Sequence, residues 1–342
     1  MNVLTEAQKE AFDRDGVLCL KGVLTAREIA QLRAAVTAQF SALGASSTGY
    51  DFEAIGRQIW SDDTAVETGS ATRFDMSALK QTVTADSDAQ PLLETAPAEQ
   101  ADEPGCFFYD VAAWKKDAGV REVAFDSALP ELVQDLLGAK YLNFWEDTTF
   151  VKAPRTRQKT AFHQDLAYFQ IAGEQSVIVW IPLDPANQEN GVTEYVRGSH
   201  KWGETYAPNV FVSSTPVAAA VDKRCPDIER HRDQYDILSF DVEPGDVIIH
   251  HVMTVHGAGG NMSDRWRRAM SFRYCGDRVR YYDRPGAIQQ VGMTHDLKTG
   301  DRLIAEDYPL VWPKPSPEAE LAKIYEKHPS ELASEHAMGG IL

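Results

Sequence analysis

A chain of 342 residues is long for one small domain, yet β barrels with helical additions reach this size as a single folded unit. With 43% apolar and 25% charged residues the composition is globular, which excludes disordered and fibrous classes. Acidic residues outnumber basic ones by 51 to 34, and the resulting net charge of −17 repels phosphate backbones, so no nucleic-acid partner is expected.

The first residues carry Glu6, Asp13 and Asp15 among apolar neighbours, unlike a secretory leader. No apolar run reaches membrane-spanning length, so no membrane partner is expected. Thr5 opens TEAQKEAFDRDG, a predicted helix with a hydroxyl N-cap and a terminating Gly16, and VLCLKG follows as a short strand. Thr25 caps a second helix, in which Ile29, Leu32, Val36 and Phe40 form an apolar stripe suited to packing on a sheet. From 61 to 105 the composition shifts to Thr, Ser, Ala, Asp, Glu and Pro, which predicts a mobile insertion or lid within a single domain spanning 1–342. Between Tyr141 and Tyr274 the runs YLNFWEDTTFVK, QSVIVWIPLD, GDVIIHH and RAMSFRY are β-branched or aromatic and bounded by Gly, Pro and Asn. Together they predict a mainly β fold with flanking α-helices, a cupin-like jelly roll or double-stranded β-helix. After Pro313, PEAELAKIYEKH predicts a surface helix, making 313–342 a helical tail. Cys19, Cys106, Cys225 and Cys275 form no CxxC pair, which suggests neither a zinc knuckle nor a disulfide framework and fits reduced thiols in the cytoplasm. A homo-oligomer is compatible with all of this.

In FHQDLAY, His163 and Asp165 stand two residues apart, a spacing that in extended chain sends both side chains to one face. A third metal donor is offered by His256 of VHGAGGN, just after the strand-like GDVIIHHVM. Two histidines and one carboxylate on one side of a metal leave the opposite positions open, as in non-haem iron(II) oxygenases. His250 and His251 compete for the distal role, strand alternation pointing one to each face; His200 in RGSHKW is expected to be structural. Eleven residues past His256, Arg267 begins a strand face that continues through the small Ala269 and Ser271. Its guanidinium is a natural bidentate partner for a carboxylate, with Arg265 and Arg268 as rivals.

These motifs, with FDRDGVLCLKGVLTAREIAQLR, FVKAP, VWIPLDPANQENGVTEYVRGSH and EPGDVIIHHVMTVHGAGGNMSDRWRRAMSFRY, resemble the phytanoyl-CoA dioxygenase family over residues 12 to 274. The resemblance implies an oxidoreductase that uses iron(II), 2-oxoglutarate and O2, hydroxylates a small organic substrate and releases succinate and CO2. It implies His163, Asp165 and His256 as metal ligands and catalytic centre, with Arg267 on the far carboxylate of 2-oxoglutarate. Trp180 falls where family members hold a tryptophan near the co-substrate, although core packing explains it equally. Thr148 is a further candidate hydrogen-bond donor to 2-oxoglutarate, or an ordinary β-former. Retention of Asp165 favours hydroxylation over halogenation, since related halogenases carry a small residue there to admit chloride. Demethylation, desaturation or cyclisation would use the same iron site. A non-catalytic cupin-like binding protein would leave Arg267 without a co-substrate, and a zinc hydrolase would lack its general base. Tyr168, Phe169 and the aromatics of CFFYDVAAW are candidate substrate walls, and the run KAPRTRQK a candidate anion-receiving strip or a solvated loop. The overall charge leans towards neutral or cationic small molecules, so phytanoyl-CoA itself is not carried over.

Overall fold

The computed structural model describes residues 3–42, 50–51, 105–214, 216, 222–285, 287 and 295–314. The expected insertion at 61–105, apart from Gly105, and the helix expected after Pro313 lie outside the described residues.

Both N-terminal helices form as their signals predict. α1 (Glu6–Asp15) and α2 (Ala26–Ser41) start at capping boxes, Thr5 with Gln8 and Thr25 with Glu28, which satisfy otherwise orphaned N–H groups. α1 ends at Gly16 in the left-handed region, where a side chain would also collide with His200 and Thr254. Two more helices were not expected from the sequence, α3 (Ala118–Asp126) and α4 (Leu129–Leu137). Their signals are nevertheless present: Asp117 caps α3 through two backbone N–H groups, Pro130 stands in the first turn of α4, and Gly138 ends it.

In chain order the strands are β1 (Val17–Leu20), β2 (Tyr50–Asp51), β3 (Phe107–Val111), β4 (Leu142–Lys152), β5 (Thr160–His163), β6 (Ile171–Ala172) and β7 (Ser176–Pro182). They continue as β8 (Thr193–Val196), β9 (Ile237–Leu238), β10 (Val247–His251), β11 (His256–Ala258), β12 (Arg267–Gly276), β13 (Arg280–Tyr281) and β14 (Leu310–Trp312). The major sheet runs β1-β10-β7-β12-β4-β3-β2 with β14 on β4; the minor sheet runs β5-β11-β8-β9, and β13 pairs with β6. Among the described residues every pairing between these strands is antiparallel, the jelly-roll arrangement the strand-rich middle predicts. Among the described residues, no helix is long and apolar enough to cross a membrane.

Strand alternation divides the major sheet into two faces. Val177, Val179 and Ile181 of β7, Val247 and Ile249 of β10, and Met270 and Phe272 of β12 join Ile29, Leu32 and Val36 of α2 in one core. Complete burial of one such side chain contributes roughly 1.5–3 kcal/mol, so this layer is the anchor of the sheet. The alternate residues, Ile178 and Trp180 of β7, His250 of β10, and Arg267, Ser271 and Arg273 of β12, line the interior cavity.

On β4, Asp147 accepts hydrogen bonds from the backbone N–H groups of Ala113 (3.0 Å) and Trp114 (2.8 Å), fixing the short turn before α3. Burial pushes its carboxyl from 3.8 up to about 7, against the lowering pull of those two donors. The folded protein thus retains a proton that the unfolded chain releases. Stability from this group is fully present below about pH 4 and is lost as pH rises through about 7, by about 1.4 kcal/mol per pH unit inside that window. Denaturation of wild type and Asp147→Asn across pH 4–8 should therefore show the wild-type stability falling relative to the variant; a constant difference would reject the assignment.

Candidate metal centre and anion pocket

Three side chains that sequence spacing singled out converge inside the barrel. His163 ends β5 and His256 begins β11, and the two are direct cross-strand partners in the minor sheet. Their ring centroids lie 4.4 Å apart. Asp165 follows one extended residue, Gln164, and opens a short 3₁₀ turn, so the two-residue spacing points it to the same side as His163 although the strand has ended. Asp165 Oδ1 lies 3.5 Å from His163 Nε2 and 3.9 Å from His256 Nε2. Donor atoms of the three residues all lie within 4.8 Å of one another, and all three residues are buried.

Local hydrogen bonds aim these donors. His163 Nδ1 lies 2.7 Å from the Ala161 carbonyl and His256 Nδ1 2.9 Å from the Thr254 carbonyl. A carbonyl only accepts, so each Nδ1 carries the proton and each Nε2 presents a lone pair. Gln164 points away and ties the segment down: its amide donates to the carbonyls of Met253 (3.0 Å) and Glu204 (3.1 Å) and accepts from the Tyr206 N–H (3.0 Å). Burial alone would raise the Asp165 carboxyl, but the facing His256, His163 and His250, with Arg273, hold it well below the usual carboxylate range. Burial, with His163 and His250 nearby, keeps His256 well below its ordinary value and hence neutral. Two neutral imidazoles and one carboxylate are the protonation states a divalent metal requires.

His250 resolves as a neighbour of the triad: its Nε2 lies 3.4 Å from Asp165 Oδ2 and its ring packs on His256. His251 faces the other way, against Phe12 and His200, and His200 meets the Asp13 carbonyl, the structural role expected of it.

Arg267 starts β12 on the cavity side and is 3% exposed. Its Nε has no hydrogen-bond partner, and no ion pair to it exists among the described residues. The carboxylate whose charge reaches it, Asp184, is taken by Arg268 through three hydrogen bonds of 2.7–2.9 Å. Burial brings the Arg267 guanidinium down to about 10, so it remains a cation at neutral pH. Arg268 is thereby removed as a rival, and Arg265 lies before the strand, where its carbonyl accepts from Asn261. Asn261 also donates to the carbonyls of Lys152 and Ala153, fixing the loop that launches β12. Trp180 lines the cavity with the Arg267 guanidinium 6.0 Å from its ring centre.

One expectation is corrected. Thr148 is fully buried and does not line the cavity; its hydroxyl accepts a 2.6 Å hydrogen bond from Arg273 Nη1. Of the basic run before β5, Lys152 is buried and bonds the Gly259 carbonyl and Lys159 pairs with Glu229, whereas Arg155 and Arg157 are exposed. Tyr168, Phe169, Phe107 and Tyr109 do wall the cavity, joined by Phe150 and Phe211. Arg273 was missed, yet the period of two that runs through Arg267, Ala269 and Ser271 reaches it at the next step. Phe211 sits in a loop with positive φ, a placement that no local pattern announces.

A family model for phytanoyl-CoA dioxygenase matches residues 12–269. Among curated relatives, a probable phytanoyl-CoA dioxygenase of Caenorhabditis elegans is 26% identical over 167 residues, covering 47% of this chain and 52% of that protein. The peroxisomal phytanoyl-CoA dioxygenase of Homo sapiens is 25% identical over 154 residues, covering 42% and 44%. The chain thus spans about half the length of the curated relatives it matches. Among solved structures, the epimerase SnoN in complex with Fe3+, alpha ketoglutarate and nogalamycin RO superposes with a TM-score of 0.59 at 20% identity, covering 90% of this chain and 98% of that one. EctD from S. alaskensis with bound Fe gives 0.53 at 17% identity, covering 84% and 82%. At these identities the likeness establishes the shared fold.

The geometry predicts that iron(II), added without oxygen at about 100 times its dissociation constant, stabilises the wild type by about 2.7 kcal/mol. That gain should vanish in Asp165→Ala and persist in His251→Asn. Equal stabilisation of wild type and Asp165→Ala in a thermal melt would exclude the triad as the metal site.

Proposed function

The chain belongs to the phytanoyl-CoA dioxygenase family, and on that premise we propose that it is an iron(II)- and 2-oxoglutarate-dependent oxygenase hydroxylating a small organic substrate. The observation that carries this reading is the pairing, in one cavity, of a buried His-Asp-His donor set with a buried guanidinium that has no carboxylate of its own.

The residues fit the groups the reading needs. His163, Asp165 and His256 supply two imidazole nitrogens and one carboxylate from one side, the donor set suited to iron(II) with open positions opposite. Arg267 would receive the far carboxylate of 2-oxoglutarate, whose two charge-assisted hydrogen bonds replace lost solvation. When bound, iron and 2-oxoglutarate supply the oxidising power, consuming O2 and releasing succinate and CO2 as a C–H bond of the substrate is hydroxylated.

The chain's own contribution is position and dryness. The Ala161 and Thr254 carbonyls hold the imidazoles in one tautomer and one orientation. Trp180 lines the cavity beside the Arg267 guanidinium, its ring centre 6.0 Å away, and would offer an apolar wall to an arriving carboxylate. Tyr109, Phe150, Phe169 and Phe211 give the cavity apolar walls that favour the hydrocarbon part of a substrate over water. Tyr168 donates to Asn209 Oδ1 at 2.7 Å, and Asn209 donates to the Phe162 carbonyl, bracing the wall beside His163. The carboxylate of Asp165 would be one of the residues holding the metal, where halogenation would need room for a halide, and this supports hydroxylation. The four free cysteines support a reducing compartment, the cytoplasm.

Anaerobic addition of iron(II) and 2-oxoglutarate to the apoprotein should produce a weak visible charge-transfer band. Arg267→Ala should raise the 2-oxoglutarate concentration needed by about 100-fold, the roughly 3 kcal/mol expected on losing one partner of a buried charge pair. A wild type that binds iron but gives no band and releases no succinate under air would refute the reading.

A further inference from the structure

β12 carries a second guanidinium into the same cavity. Arg273 stands six residues beyond Arg267 on the same strand face, with Ala269 and Ser271 between, so the two Cα atoms are about 20 Å apart at roughly 3.3 Å per residue. A short diacid chelated to the metal and held by Arg267 cannot also reach Arg273.

Arg273 is 6% exposed. Its Nη1 donates to Thr148 Oγ1 at 2.6 Å, and its guanidinium carbon lies 5.1 Å from the centre of the Phe169 ring. Its Nε has no partner, and it forms no ion pair among the described residues. A guanidinium has five N–H donors, and here a neutral hydroxyl engages one nitrogen. Three carboxylates lie near enough to be considered. Glu146 is its cross-strand partner on β4 but is not ion-paired with it. Asp147 belongs to the opposite face and serves the Ala113 and Trp114 amides. Asp165 feels the Arg273 charge without contact, and its oxygens are directed to His163, His250 and His256.

We propose that Arg273 is the anchor for an anionic group, most simply a carboxylate, on the primary substrate, whose apolar body lies along Phe169, Tyr168 and Ile178 beside the metal triad. A buried charge without a counterion is costly, and an incoming carboxylate would relieve that cost with charge-assisted hydrogen bonds. Thr148 and Phe169 hold the guanidinium in place, so little side-chain freedom is lost on binding. The overall charge of −17 points to neutral or cationic substrates, but a fixed guanidinium inside a water-poor cavity acts at far shorter range than the surface field. The inference rests on the oxygenase reading for the place of 2-oxoglutarate.

The test uses full-length protein with saturating iron(II) and 2-oxoglutarate under anaerobic conditions. The probes are small acids paired with their primary amides: benzoate and benzamide, 3-phenylpropionate and 3-phenylpropionamide, octanoate and octanamide. In wild type at least one acid should perturb the charge-transfer band at a concentration at least tenfold lower than its amide. Arg273→Met should abolish that preference and Arg273→Lys retain part of it, with 2-oxoglutarate affinity within twofold of wild type in both. Acids and amides acting alike in wild type, or no effect of any acid, would overturn the proposal. So would an Arg273→Lys variant that weakens 2-oxoglutarate as much as Arg267→Ala does, because Arg273 would then serve the co-substrate. Absence of the band in wild type would instead sink the oxygenase reading. In that case thermal shifts of the metal-free protein with the same acid and amide pairs, in wild type and Arg273→Lys, would still decide the role of Arg273.

Discussion

A slip of one residue between β5 and β11 would turn His163 or His256 to the opposite side of the minor sheet, because strand side chains alternate. The register that sets these two histidines opposite each other is therefore the constraint on which the rest of the site depends. Several neighbours enforce it. Gln164 binds three backbone groups on one side of the triad, and Ser199 Oγ accepts from the Val255 N–H while donating to the Val196 carbonyl on the other. The β11 backbone passes close to β5: a side chain at Gly257 would press on the Thr160 carbonyl and the Phe162 ring. Asp165 then needs only one extended residue after His163 to join them.

The major sheet supplies the opposite half of the cavity and carries its charges. Its outer face is largely committed to the helices, with His251 and Arg268 at strand ends, while the inward set of β7, β10 and β12 carries the polar residues that open onto the cavity. That division explains how a sheet this apolar tolerates Arg267, Arg273 and His250 in its interior. Each is isolated from the hydrophobic core by the pleat itself and opens onto the cavity, where a ligand can reach it.

The site was legible in the sequence where chemistry follows a short period. FHQD and VHG announced the triad, and the two-residue step from Arg267 announced the cavity face of β12. The same step leads to Arg273, although the face was followed only as far as Ser271. Thr148 was misassigned because period alone tells which face a residue occupies and not which neighbour claims its hydroxyl. His250 could be placed on a face but not next to Asp165, since that approach depends on the return of the chain after β5. α3 and α4 were overlooked although Asp117, Pro130 and Gly138 mark their ends, since each is only nine residues long. Phe211 reaches the cavity from a loop, and loop paths are fixed by tertiary packing.

The two inward arginines also bear on stability. A desolvated guanidinium without a carboxylate loses several kcal/mol of hydration that the fold must offset elsewhere, against a total stability of only about 5–15 kcal/mol. Arg273 recovers part of this from Thr148 and Phe169, while Arg267 has only the distant face of Trp180. The free protein is thus held in a state that a bound anion would relieve, and ligands that bind only the folded form add their binding energy to its stability. Replacing either arginine by an apolar residue of similar length would be expected to stabilise the empty protein while weakening its ligand. Opposite signs in those two quantities are what separate a binding arginine from one retained for the fold.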